Sequence, residues 1–394
     1  MEVKNKRDVP KVRFNIYRKR WKKKKFKDFT KLSQGLQIAI SDRFTEDAET
    51  RHFYITNEFL NPNSRKKYYI ESPSENVICT VDDILMTRTG NTGKVITNVS
   101  GAFHNNFFKV TYEKNDTAKL FLYYLLLSYD VQKEILIRAG NSTIPDLNHG
   151  DFYSIKTFIP TIEEQSAIGS LFCTIDDLLA SYKYNLANYQ SLKVTMLSKM
   201  FPKVGQTVPE IRLDGFEGEW ENKILSEVTN ITMGQSPKSE NYTDNPNDYI
   251  LVQGNADIKD KQVVPRLWTT EVTKMAEIGD IILTVRAPVG DIGKTDYNVV
   301  IGRGVAAIKG NDFIFYTLEK MKMTGFWNKF STGSTFESIS SNDIKEAIIQ
   351  IPTLEEQKAI GAYFSNLDNL INSHQEKISQ LETLKKKLLQ DMFI

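Results

Sequence analysis

Few residues in this chain have the types and spacing that chemistry requires. Gly293-Lys294-Thr295 has the ending of a phosphate-binding loop. Such a loop needs a glycine five residues before its last glycine, because bare backbone N–H groups must cradle the phosphate. That position is Pro288, and the related stretch has Arg88 there and Val95 after Lys94. The run is therefore a tight turn between two strands. Asn61-Pro62-Asn63-Ser64 and Asn245-Pro246-Asn247-Asp248 both lack the second proline and the aromatic residue with which an amino-methyltransferase grips a flipped base. Pro145-Asp146 opens a nuclease-like pattern, but no Glu-x-Lys follows nearby, and its counterpart is Glu337-Ser338. No Gly-x-Gly-x-x-Gly fingerprint is present. His52, His104, His149 and His374 are scattered, and with Cys79 and Cys173 they make no metal-ligand spacing. Two cysteines in 394 residues point to a reduced, intracellular protein without a disulfide framework.

With enzyme motifs failing, charge is the next guide. The net charge is only +2, yet residues 1–31 hold 14 Lys/Arg against 3 acids, which leaves about −9 on the remainder. The basic leader suits a polyanion such as nucleic acid. It has no basic equivalent elsewhere: Lys19 to Lys25 corresponds to the acidic stretch Glu219 to Lys223. The apolar runs are shorter than a membrane span, and the N-terminus is charged rather than signal-like.

The elements that must position any site are written twice. Ile159-Pro160-Thr161-Ile162-Glu163-Glu164-Gln165 returns as Ile351-Pro352-Thr353-Leu354-Glu355-Glu356-Gln357, 192 residues later. The match continues without a gap to Met200-Phe201 and Met392-Phe393, with 18 of 43 positions identical. Upstream, Ser142-Thr143 and Asp151 match Ser334-Thr335 and Asp343. Asp83-Ile84-Leu85 with Arg88, Gly90, Gly93 and Lys94 matches Asp280-Ile281-Ile282 with Arg286, Gly290, Gly293 and Lys294. Val9-Pro10, Trp21 and Gly35 match Val208-Pro209, Trp220 and Gly234. A repeat this long is a domain duplication, and two similar halves predict a pseudo-twofold object with two related sites.

Each half has two textures. Its last part predicts one long helix: Thr161 with Glu164, and Thr353 with Glu356, have capping-box spacing. Apolar residues then recur at steps of three and four, from Ile168 to Met196 and from Ile360 to Leu388, interrupted by His374 and by Lys193 and Lys385. Two matching seams predict that the helices pair as an antiparallel coiled coil. The earlier part of each half is rich in β-branched and aromatic residues with Gly/Asn/Asp/Pro punctuation, and predicts short strands. Amphipathic helices are predicted from Leu120 to Ala139 and from about Phe313 to Phe330.

The doubled Ile-Pro-Thr-(aliphatic)-Glu-Glu-Gln run with its heptad helix, the Arg and Gly-rich turn after an Asp-Ile-(aliphatic) strand, and Val-Pro-x-x-Arg…Trp at the start of each half together resemble the specificity (S) subunit of type I restriction–modification systems. The resemblance spans essentially the whole chain. It implies an α+β fold of two target-recognition domains, residues 1–158 and 210–350. These are followed by long helices at 159–201 and 351–394, with a linker at 202–209. Each recognition domain is expected to read one half of a bipartite double-stranded DNA target, and the paired helices to fix the unread spacer. Expected partners are two modification (methyltransferase) subunits and ATP-dependent restriction subunits, without a membrane. The chain is expected to be non-catalytic and cytoplasmic. S-adenosylmethionine, ATP and Mg are expected on the partners, and no cofactor or metal on this chain.

Base edges call for Arg or Lys opposite guanine and Asn or Gln opposite adenine, on loops. The DNA-contact candidates of the first half are Gln34, Arg65, Lys66, Lys67, Tyr68, Arg88, Asn105 and Asn141. Those of the second are Gln235, Lys238, Gln253, Asn255, Arg286 and Arg303. Arg88 and Arg286 have a structural alternative, an arginine pinning its own turn to a carboxylate. Two other function classes compete: a duplicated coiled-coil interaction scaffold that reads no DNA, and a stand-alone DNA enzyme.

Overall fold

The computed structural model describes residues 9–140, 143–330 and 338–394. Asn141, Ser142 and Ser334-Thr335 lie outside the described residues. The chain forms two compact units: residues 1–183 with 376–394, and residues 184–375.

The first unit holds two small sheets. One has the strand order Thr30–Gln34, Phe107–Tyr112, Ile84–Thr87, Val95–Ile96, antiparallel throughout. The other runs Tyr69–Glu71, Arg51–Ile55, Gly101–Phe103, Ile78–Cys79, with a parallel pair at its centre. Ile84–Thr87 is buried along its whole length, as its unbroken apolar run requires. A short ribbon pairs Lys22–Lys25 with Lys156–Ile159. The basic leader is thus partly a strand laid beside the residues that enter the long helix.

The second unit repeats this plan with additions. Ile231–Met233, Val305–Ile308, Ile281–Thr284 and Ile292–Lys294 form the antiparallel sheet, extended by Gln262–Val263 and Ile258–Lys259. Tyr249–Val252 lies parallel to Val299–Ile301 in the other sheet. Glu221–Ile224 pairs with Ile348–Ile351, as the lysine ribbon does in the first unit.

The matched glycines are demanded by close approach. A Cβ on Gly35 would stand 2.1 Å from the Phe103 carbonyl oxygen, and one on Gly234 would stand 2.1 Å from that of Gly302. No side chain fits there.

The long helices are Ile162–Lys199 and Leu354–Asp391. The expected capping boxes are not complete. The Thr353 hydroxyl accepts from the Glu356 N–H at 3.4 Å. The carboxylates of Glu164 and Glu356 turn away from the cap and engage Arg13 and Arg212. The shorter helices also differ from expectation. The predicted Leu120–Ala139 helix is two, Lys119–Leu127 and Tyr129–Ala139, broken at the extended Ser128, whose hydroxyl donates to the Leu125 carbonyl. In the second unit Asp312–Met323 ends before Gly325, whose positive φ precedes a 3-10 turn, Phe326–Phe330.

Each unit contains parts of both long helices, and they pair antiparallel in each. In the first unit Asp176 meets Lys385 and Lys183 meets Glu382. In the second Lys193 meets Asp368, and Tyr189 packs its ring 5.1 Å from His374. Numbers rise on one helix as they fall on the other. The aromatic core is the same in both. Trp21, Phe121, Phe172 and Phe393 cluster in the first unit; Trp220, Phe313, Phe364 and Phe201 cluster in the second. Burying each such side chain contributes roughly 1.5–3 kcal/mol.

Candidate nucleic-acid interface

The repeated motif residues hold the scaffold together. Arg13 donates to both oxygens of Glu164, at 2.6 and 2.7 Å, and Arg212 does the same to Glu356, at 2.8 and 2.7 Å. Both carboxylates are 1% exposed, so each opening Arg is clamped to the start of a long helix by a buried bidentate pair. The adjacent glutamines fasten the next segment. Gln165 accepts from the Ala118 N–H and donates to Asp116 and Pro160 carbonyls. Gln357 accepts from the Asn311 side chain and donates to the Pro352 carbonyl.

The lysines that interrupt the heptad seams are ion-pairing residues. In the first unit Lys385 donates to Asp176, which also accepts from the Tyr124 hydroxyl at 2.8 Å. In the second Lys193 donates to Asp368, which accepts from the Tyr316 hydroxyl at 3.0 Å. Each lysine also lies over the same tyrosine's ring. Burial pushes both phenols well above the usual tyrosine range, and the neighbouring aspartates reinforce this. The second unit adds Glu319 and Lys261 to its cluster. Burial pulls the Lys193 ammonium below its usual value against the opposing pull of Glu319.

The recognition candidates of the second unit converge. Gln253, Asn255, Arg286 and Arg303 line one cleft of about 510 Å³, with Ser236, Ser239 and Tyr242 on its wall. Gln235 is exposed one residue before Ser236. Lys238 is exposed beside the same wall, its ammonium 3.7 Å from Glu240. The cleft's frame is fixed by backbone bonds. Asp257 accepts from the N–H groups of Gln253 and Gly254, and Ser236 accepts from the Arg303 N–H at 3.1 Å. Arg286 and Arg303 are exposed, and no side-chain hydrogen bond or ion pair engages either guanidinium among the described residues.

In the first unit the described candidates separate into three places. Gln34 and Asn105 meet: the Gln34 side chain reaches the Asn105 carbonyl at 3.5 Å, and Asn105 donates to Gln37 at 3.0 Å. Arg65, Lys66 and Lys67 form an exposed loop after Asn57–Leu60, and the following Tyr68 is half-buried beneath Arg43. Arg88 is pinned. It donates to Asp146 at 2.7 Å and to the Leu147 carbonyl at 3.4 Å, and lies over the Phe108 ring. This is the structural alternative for that residue.

The sequence match of Arg88 with Arg286 needs correction by one residue. The Leu147 N–H donates to the Arg88 carbonyl, while its counterpart Ile339 donates to the Val285 carbonyl. Thr89 bridges Asp146, and Arg286 bridges Ser338. The Gly93 N–H closes the turn on Thr87, as that of Gly290 closes it on Thr284. Arg88 therefore corresponds to the buried Val285, and Arg286 to Thr89. Neighbouring extended residues face opposite ways, so the offset sends one arginine inward and the other out. By the matched glycines, ladders and bridges, Ser236, Gln253, Gly254, Arg286 and Arg303 correspond in the first unit to Gln37, Thr56, Asn57, Thr89 and Asn105. Gln37, Thr56, Asn57 and Thr89 were not among the candidates. Counting forward from the matched glycines Gly35 and Gly234, which fix the loop register, would have found Gln37.

Comparison with known proteins agrees with this geometry. The family model described as the type I restriction modification DNA specificity domain matches twice, at residues 18–189 and 217–383. The MjaX specificity subunit of Methanocaldococcus jannaschii is 30% identical over 70% of this chain and 67% of its own length. The type I restriction enzyme MjaVIII specificity subunit of the same organism is 23% identical over 94% of this chain and 91% of its own. Among solved structures, the type I restriction–modification S subunit from M. genitalium aligns with a TM-score of 0.65 at 17% identity, covering 98% of this chain and 99% of that one. The HsdS subunit from Thermoanaerobacter tengcongensis aligns at 0.50 and 22%, covering 94% and 95%. The duplicated scaffold, its clamps and the two matched domains place this chain in the family of type I restriction–modification DNA specificity subunits.

Proposed function

We propose that this chain is the non-catalytic, DNA-reading subunit of a type I restriction–modification complex, each unit reading one half of a bipartite target. The observation that carries this reading is the pair of glycine-anchored loop clusters at equivalent positions on two units of one plan. The second unit's loops form a cleft lined by arginines and amides; the equivalent loops of the first carry amides and hydroxyls, with Asn105 bonded to Gln37 and Asn57 to the Thr89 carbonyl. Phosphate contacts from the exposed lysines hold register, while the loops read base edges. The long helices, 38 residues each and about 57 Å at 1.5 Å per residue, set the spacer and dock two modification subunits. Restriction subunits join that assembly. S-adenosylmethionine belongs to the modification subunits, ATP and Mg to the restriction subunits, and the complex works in the cytoplasm. No helix among the described residues is long and apolar enough to cross a membrane.

The test is genome-wide methylation sequencing of cells carrying the modification subunit, with and without this chain. A split motif that appears only with the chain is expected; unchanged methylation rejects the reading. Exchanging residues 1–158 for the matching domain of a relative should alter one half of the motif and leave the other. Alteration of both halves would refute modular reading. Complex assembly with no motif at all would favour the interaction scaffold.

A further inference from the structure

We infer that the second unit reads guanine, through Arg286 and Arg303, and that the first unit's matching positions do not. This rests on the DNA-reading function proposed above and adds which base one half-site must contain. Both arginines face one cleft with the amides of Gln253 and Asn255, and no carboxylate among the described residues lines it. Asp257, on the cleft's own loop, is occupied by two backbone N–H groups.

A guanidinium presents a planar fork of donors. Guanine offers two acceptors, O6 and N7, on its major-groove edge, whereas adenine offers one acceptor beside a donor. An arginine without an internal partner at a base edge therefore selects guanine. Base reading further requires a fixed Cα, which gripping a phosphate does not. Both arginines have one: Arg286 lies on a bridge to Ser338, and the Arg303 N–H is held by Ser236. In the first unit the same two positions are Thr89 and Asn105, and the Asn105 amide is shared with Gln37. That set offers amides and a hydroxyl, without a fork.

The experiment uses the complex of the full chain with its modification subunit. The second unit's half-site is the one that exchange of residues 1–158 leaves unaltered. It is expected to hold at least one invariant G·C pair. Arg286→Ala and Arg303→Asn should each let such a position accept other bases, by about ten- to a hundredfold in relative methylation. The first half-site should stay fixed. Binding supplies a second readout where methylation is too weak. Duplexes with 7-deazaguanine, which lacks the N7 acceptor, at the position that Arg286→Ala relaxes should bind the wild-type complex less tightly and the Arg286→Ala complex no differently from normal DNA. A second half-site without an invariant G·C pair overturns the inference. So does uniform weakening across all sequences, the mark of phosphate contacts. Absence of any split motif with the wild-type chain would instead reject the underlying function.

Discussion

Arg88 in the first unit and Arg286 in the second follow the same kind of strand into the same Gly-rich turn, and their fates are opposite. Arg88 is folded against Phe108 and neutralised by Asp146. Arg286 stands one step further along, opposite Ser338, and projects into a cleft. Around them everything that repeats is internally committed. The Arg–Glu clamps, the Lys–Asp–Tyr clusters and the Trp–Phe core recur residue for residue, and the glutamines recur with partly different partners. The side chains on the cleft loops do not. Duplication has kept the frame and released the loops, as expected of a scaffold that presents two different readings from one geometry.

The comparison can be broken first at its shared part. Glu164→Ala and Glu356→Ala each strand a largely buried arginine and should cost about 3 kcal/mol apiece. Equal losses in urea-unfolding midpoints are expected, and a clear inequality would show that the clamps are not equivalent. The seam should separate the units. Asp368→Ala leaves Lys193, only 5% exposed, with Glu319 as its remaining carboxylate, and should cost about 2–3 kcal/mol. Asp176→Ala exposes the less buried Lys385 and should cost about 1 kcal/mol. Ser338→Asp would give Arg286 the carboxylate that restrains Arg88. It should weaken discrimination in one half-site about tenfold, near 1.4 kcal/mol, with the melting temperature unchanged. The smallest effects are on stability at the arginines themselves. Arg88→Ala should cost about 1 kcal/mol, and Arg286→Ala less than about 0.5 kcal/mol. A larger loss at Arg286 would mean that it is engaged internally after all.

The duplication, the long helices and their antiparallel pairing were legible in the sequence because a heptad seam and an ungapped repeat are periodic signals. Glu164 and Glu356 were legible as important and misread in role. Their spacing suits a capping box, but their partners Arg13 and Arg212 lie 151 and 144 residues away, and a local pattern does not reveal a distant bond. Lys193 and Lys385 looked like flaws in a seam for the same reason. The cleft was half legible. Residue type led to Gln253, Asn255, Arg286 and Arg303, but only the bonded backbone reveals that Arg88 is out of register with Arg286. The break at Ser128 was hidden because apolar periodicity passes through it.

The division of the chain has a consequence for its birth on the ribosome. The second unit is one unbroken stretch, residues 184–375, whereas the first is completed only by residues 376–394. Phe393 lies in the first unit's aromatic core, 5.7 Å from Phe121 and 5.8 Å from Phe172. Domains usually fold in the order of their emergence. Here the domain that emerges first must wait, its core open, while the later one is made and closes. Its apolar surface is exposed for the time taken to add some 190 residues, about 10–40 s at the usual elongation rate. Losing the segment from Glu376 onward should therefore harm the first unit, the half of the protein most distant from it in sequence.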